Sequence, residues 1–283
     1  MTISRQDLRA AIGKELGRSL YLRSVTTGVA TTTENLIDTK RSEDAAYWDG
    51  AALYTQGQET VLRGGQGHDN SLVDPQLFFD RPITLVQSGQ TYELLKGWDF
   101  GSMNGAIDDA VGALWPELYD PVDDDTTLEV DGNLEYGLAP QWRDIIYVER
   151  QLVGTNPARF ERLVLGYHYT IRQDPLNQLY IARYLPKNGV ILRFVGWAIP
   201  QIGSSDAAET VHPKEVIVAG ALAYLYEKGP QADQTAIAPG WERKAALWRD
   251  LYEKRKAKFA MSREAYDNLV PQIRTALAPG WPF

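Results

Sequence analysis

Apolar residues recur every four positions at the start of the chain, at Leu8, Ile12, Leu16 and Leu20. That spacing predicts a helix over 4–17 with one apolar stripe. Ser4 is placed to cap its free N–H groups, and Asp7, three residues on, completes a variant capping box and suits the helix dipole. From Tyr21 to Leu95 the pattern changes to short apolar runs between turn signals, rich in Thr, Gly, Val and Asp. Strands are expected near Ser24–Thr32, Ala51–Thr55, Thr60–Arg63, Gln76–Phe79 and Thr91–Leu95. Asp49-Gly50 and the glycines Gly64, Gly65 and Gly67 are the turns between them.

Ser102 opens a second predicted helix. Met103, Ile107, Ala110, Val111 and Leu114 keep helical spacing, and Pro116 marks its end. The acidic run from Asp120 to Asp131 reads as a solvated loop. Strand patterns return at Ile145–Val148, at Leu163–Ile171 with Tyr167, Tyr169 and Ile171 on one face, at Leu179–Tyr184 and at Val190–Ile199. Asn188-Gly189 predicts a hairpin between the last two. The final third reads as helical. Pro213 suits the first turn of a helix running to Lys228, and Gly229-Pro230 stops it. A second helix spans Trp241 to Lys258 on the stripe Ala245, Trp248, Leu251 and Tyr252. A third starts at Ser262 and carries Ala265, Leu269, Ile273 and Leu277, kinked or divided at Pro271. The last six residues, 278–283, are non-helical.

This order predicts an α+β fold: a helical bundle core of N-terminal, central and C-terminal helices, with inserted antiparallel β-rich modules. Residues 1–20, 100–120 and 206–283 would form the helical core. Residues 21–99 would be the inserted β-rich module, and 121–205 a β-sheet segment packing on the core.

Composition narrows the chemistry. Hydrophobic residues make up 44% of the 283, so a packed core is expected. There is no cysteine, which excludes disulfides, thiol nucleophiles and thiolate metal sites. The three histidines, His68, His168 and His212, are too far apart in sequence to form a helical metal pair. The glycine cluster at 64–67 is followed by no Lys-Ser or Lys-Thr, as a phosphate-binding loop would need. No Gly-x-Ser-x-Gly elbow occurs, and the acidic run does not fit a calcium loop. No cofactor or metal is therefore expected. No apolar run reaches membrane-spanning length, and the N-terminus lacks a signal-peptide layout, so synthesis in the cytoplasm and no membrane partner are expected.

The net charge is −8, but basic residues gather between Arg243 and Arg263. Arg249, Lys254, Arg255, Lys256 and Lys258 form a candidate face for an acidic partner or for DNA, or else a solvated helix face. Eight Trp and fifteen Tyr give the chain aromatics of the kind favoured at interfaces.

One stretch resembles a known family. Leu36, Asp38, Thr39, Tyr47, Trp48 and Gly50 fall in a Thr-rich segment ending Leu-x-Asp-Thr, followed by an acidic turn and Tyr-Trp-x-Gly. Gly89, Tyr92, Glu93 and Leu94, then Ala106, Ile107 and Ala110, continue it, and 219–227 is similar to an adaptor core helix. This arrangement resembles the head-to-tail adaptor (neck) proteins of tailed bacteriophages. The resemblance implies a non-enzymatic virion protein at the head–tail junction. Such a protein would form a ring, on the order of twelve copies, docked on the portal and on the next neck or tail protein, with the genome as passing DNA. It implies that the C-terminal Trp281, Pro282 and Phe283 reach into the portal. Two other classes fit less of the chain: a receptor- or glycan-binding virion module using Trp48, Trp98 and Trp197 as stacking platforms, and a cell-wall glycosidase.

Overall fold

The computed structural model describes residues 2–30, 32–40, 45–62, 76–152, 159–172, 178–181, 189–231 and 240–260. The chain divides into two compact units, one holding Met1–Val111 and Ile202–Phe259, the other Gly112–Gln201. The predicted third C-terminal helix, the Gly64–Gly67 turn, His68 and the Trp281–Phe283 tail lie outside the described residues.

The first unit begins with β1 (Ile3–Ser4) and α1 (Arg5–Leu16). Ser4 caps α1 as expected, its hydroxyl accepting from the Asp7 N–H at 3.1 Å. Six strands follow: β2 (Tyr21–Val25), β3 (Asn35–Ile37), β4 (Ala52–Thr55), β5 (Gln58–Val61), β6 (Gln76–Phe78) and β7 (Thr91–Leu95). One antiparallel sheet runs β2-β7-β4-β5, and β3 pairs with β6. Two single bridges, Leu62 with Phe79 and Gly28 with Ile37, join the two sheets at both ends. Through these two bridges the strands close into a small antiparallel barrel. Leu36, Trp48, Leu53, Leu77, Phe79, Tyr92 and Leu94 fill its interior.

The helices of this unit are α1, α2 (Phe100–Gly112), α3 (Lys214–Lys228) and α4 (Trp241–Phe259). In α3 ten residues between Val216 and Tyr226 are buried, so it is apolar nearly all round and central. Gly220 makes its packing possible. A Cβ there would sit 2.8 Å from the Tyr252 ring of α4 and 2.9 Å from the Ala110 methyl of α2. The Tyr252 hydroxyl donates to the Ala110 carbonyl at 3.2 Å, and the Trp98 indole to the Leu225 carbonyl at 3.0 Å.

Among the described residues the second unit is all β. Its strands are β8 (Asp120–Glu129), β9 (Glu135–Gly137), β10 (Trp142–Gln151), β11 (Phe160–Arg162), β12 (Tyr169–Arg172), β13 (Gln178–Ile181) and β14 (Ile191–Ala198). A four-stranded sheet runs β11-β10-β14-β8 and a three-stranded one runs β12-β13-β9. Both sheets give residues to one core: Val122, Trp142, Val148, Leu192 and Phe194 from the first, Tyr169, Leu179 and Ile181 from the second. This is a β-sandwich, and alternation over the first six residues of β14 places Leu192 and Phe194 inside. Gly196 sits where β10 bulges; a Cβ there would collide with the Asp144 carbonyl at 2.1 Å. A last strand, β15 (Glu209–Thr210), belongs to the first unit and pairs with β1.

The expected fold class needs correction. The described chain has four helices and many antiparallel strands; it is β-rich, not a helical bundle carrying inserted β modules. The physical reason is that each β region buries its own apolar face, so barrel and sandwich have cores of their own. Three local expectations also fail. The acidic run is a strand, β8, paired with β14 along most of its length. The stretch 163–171 is not one strand: residues 163–168 turn between β11 and β12, and only 169–171 are strand. Asn188 lies outside the described residues, but the strands expected to pair across it do not: β13 pairs with β12 and β9, whereas β14 pairs with β10 and β8.

Candidate functional site

The densest charged cluster lies in the first unit, around two arginines one turn apart on α1. Arg9 is fully buried. It donates to both Glu93 oxygens, at 3.2 and 3.1 Å, to Asp206 at 2.8 Å and to the Asn104 side chain at 3.3 Å. The Tyr54 ring lies over its guanidinium, 4.5 Å to the centroid. Burial alone would lower the Arg9 pKa, but the hydrogen bonds to Glu93 and Asp206 outweigh it and hold the group above its ordinary value. The Tyr21 hydroxyl donates to Glu93 at 2.9 Å and that of Tyr54 to Asp206 at 3.0 Å. Burial, then the Glu93 charge, pushes the Tyr21 phenol well above its usual range, and burial with the Asp206 hydrogen bond raises Tyr54.

Arg5 works beside it. Its guanidinium donates to the Gly203 carbonyl at 2.8 Å, to Ile202 at 3.1 Å and to Asn104 at 3.3 Å, and it pairs with Asp108. The backbone N–H groups of Arg5 and Gln6 donate to Ala208 and Asp206 at 2.8 and 3.2 Å. The two arginines therefore tie α1, β7, α2 and the segment 202–208 together. Each donates to several acceptors within the chain, so the pair works as a clasp between these segments.

The basic face of α4 is partly neutralised within the chain. Arg249 makes a two-pronged pair with Glu227, at 2.8 and 2.5 Å, and lies over the Tyr224 ring. Lys254 pairs with Asp250 at 2.6 Å and Lys256, itself buried, with Glu253 at 3.4 Å. Arg255 donates to the Glu215 carbonyl at 2.8 Å. Lys258 is exposed at the end of the helix.

The sandwich presents the opposite kind of surface. In the turn between β11 and β12, Val164, Leu165 and Tyr167 are 55%, 64% and 49% exposed. Their backbone is locked. The Val164 N–H donates to His168 Nδ1 at 2.8 Å, the His168 N–H to the Val164 carbonyl at 2.8 Å, and the Gly166 N–H to the Tyr169 carbonyl at 2.8 Å. His168 is thus a turn staple and not a sheet residue. Gly166 has φ +79°, which a side chain would strain.

The proposed stacking tryptophans are core residues: Trp48, Trp98 and Trp197 are all buried. Among the described residues no group of three or more His, Asp or Glu side chains is placed to hold a metal ion, and no helix is long and apolar enough to cross a membrane. Comparison with family models, with curated proteins and with solved structures finds no match to this chain.

Sequence reading missed both main features. Arg5 and Arg9 share the four-residue step of the apolar stripe beside them, a signal that these cations face inward. Gly166 inside an apolar run was the mark of a turn.

Proposed function

We propose that the chain is a structural virion protein that forms a ring at the phage head–tail junction, docks on the portal and links capsid to tail, with DNA passing through its channel. The observation that carries the assembly part is the locked apolar turn of the sandwich. Three large side chains stand in water on a fixed backbone. Each leaves burial unused, about 1.5–3 kcal/mol for a fully buried large apolar group, and a preset turn loses little freedom on docking. The phage part rests on the likeness of the segment around 31–53. Its matched residues build the barrel: Leu36 and Trp48 are in the core, and buried Asp38 accepts from Ser24 at 2.7 Å and Tyr92 at 2.6 Å.

In this reading the partners are further copies of the chain, about twelve as the resemblance to neck proteins implies, the portal protein and the next neck or tail protein. Trp281, Pro282 and Phe283 are the portal-binding tail. Deleting 281–283 tests it: the truncated chain should fold and remain outside purified particles. Incorporation at the level of the full chain would remove the tail from the reading.

A further inference from the structure

We infer that the sandwich joins copies of this chain head to tail, the β11–β12 flank of one copy docking on the β8–β9 flank of the next. The inference rests on the assembly reading and gives its apolar turn one partner. Topology defines the two flanks. Among the described strands, β11 and β8 are the outer pair of the four-stranded sheet, and β12 and β9 those of the three-stranded sheet. Residues 130–134 carry the chain from β8 to β9, and residues 163–168 carry it from β11 to β12. Connections this short put β8 and β9 on one side of the shared core and β11 and β12 on the other.

The flanks are opposite in charge. Between Asp120 and Gly137 the chain has seven Asp or Glu and no Lys, Arg or His. Between Arg159 and Arg172 it has three Arg against one acid, Glu161, which already pairs with Arg150 at 2.5 Å. Arg159, Arg162 and Arg172 are exposed, as are Glu129 and Glu135 on the acidic flank. Two of the arginines are held on aromatic rings: the Arg162 guanidinium lies 4.6 Å from the Tyr147 centroid and that of Arg172 4.5 Å from Tyr180. Exposed apolar residues stand on both flanks, Val164, Leu165 and Tyr167 on the basic one and Leu134 on the acidic one.

Charge and strand direction select the same arrangement. Three successive antiparallel pairings make β8 run opposite to β11. A neighbour in the same orientation therefore brings its β11 antiparallel to β8, which continues the alternation of the sheet. A two-fold contact of β8–β9 with itself would set acid against acid, and like charges across a contact are disfavoured. A contact between two different flanks is heterologous, and it closes into a ring when the rotation between neighbours permits.

The test is sedimentation velocity on the full chain over a concentration series, in low and in high salt. Wild type should associate, and more weakly as salt rises. Arg159→Glu with Arg162→Glu makes both flanks acidic, and Asp123→Lys, Asp125→Lys, Glu129→Lys and Glu135→Lys together reverse the acidic one. Each set alone should weaken association by about tenfold or more. Mixing the two variants should restore it, because the acidic flank of the first then meets the basic flank of the second. Two variants folded by circular dichroism that do not associate on mixing overturn the inference. The wild-type arm decides even where a variant misfolds: association as strong in high salt as in low overturns the flank contact and leaves the assembly reading standing. A chain that is monomeric at every concentration removes both.

Discussion

The barrel and the sandwich are both antiparallel, yet they end their sheets and place their charges differently. The barrel closes through the Leu62–Phe79 and Gly28–Ile37 bridges. Beside it, the unit turns charge inward: Arg9 is buried against Glu93 and Asp206, and Asp38 is buried under Tyr92 and Ser24. The sandwich turns apolar surface outward at Val164, Leu165 and Tyr167. Buried ion pairs contribute little net stability, because desolvation offsets attraction; their use is to fix one arrangement. Exposed apolar side chains on a fixed turn likewise contribute nothing to the isolated fold. The buried charges of the first unit hold it in register, whereas Val164, Leu165 and Tyr167 of the second stand together on one turn where a neighbour can reach.

The largest expected effect breaks the inward charge. Arg9→Met leaves Glu93 buried without its cation and should cost about 3–5 kcal/mol, read by urea unfolding and by loss of hydrogen-exchange protection in α1 and β7. Gly220→Val comes next. Its new side chain meets Tyr252 and Ala110 at distances that force a shift, and overpacking of this kind costs about 1–3 kcal/mol.

A pH experiment sharpens the same contrast. The Tyr21 phenol titrates higher in the folded chain than unfolded, through burial and the Glu93 charge. A raised folded pKa gives stability that is full below the unfolded value, about 10 for tyrosine, and is lost as pH climbs above it. Tyr21→Phe should cost about 1 kcal/mol near neutrality through the lost hydrogen bond and show a shallower decline above pH ~10. An unchanged alkaline slope would show that Tyr21 does not couple to folding. The smallest effect belongs to the sandwich turn: Leu165→Ser should change stability by no more than about 0.5 kcal/mol, while weakening association between chains.

The contrast was only partly legible in the sequence. Helices with strong caps and stripes were placed well: Ser4 and Asp7 mark α1, Gly229 ends α3, and α4 runs from Trp241 as expected. β7 matches its predicted Thr91–Leu95 span. Pairing was not legible, because strand neighbours are set by contacts between distant segments. Asn188-Gly189 is a strong local hairpin signal, yet tertiary packing sends β13 and β14 to different sheets. The run at 120–131 looked solvated because its charges dominate, while Val122, Leu128 and Val130 face the core. The inward charges were invisible for the same reason: burial of Arg9 depends on Glu93 and Asp206, 84 and 197 residues away.

The central claim is that the chain acts by burying its surfaces against other chains. Cryo-electron microscopy of the native particle tests it most directly. The account predicts a symmetric ring of this chain at the head–tail junction, with Val164, Leu165 and Tyr167 covered by a neighbouring chain. A monomer with that turn in solvent, and no density for the chain in the particle, would contradict it.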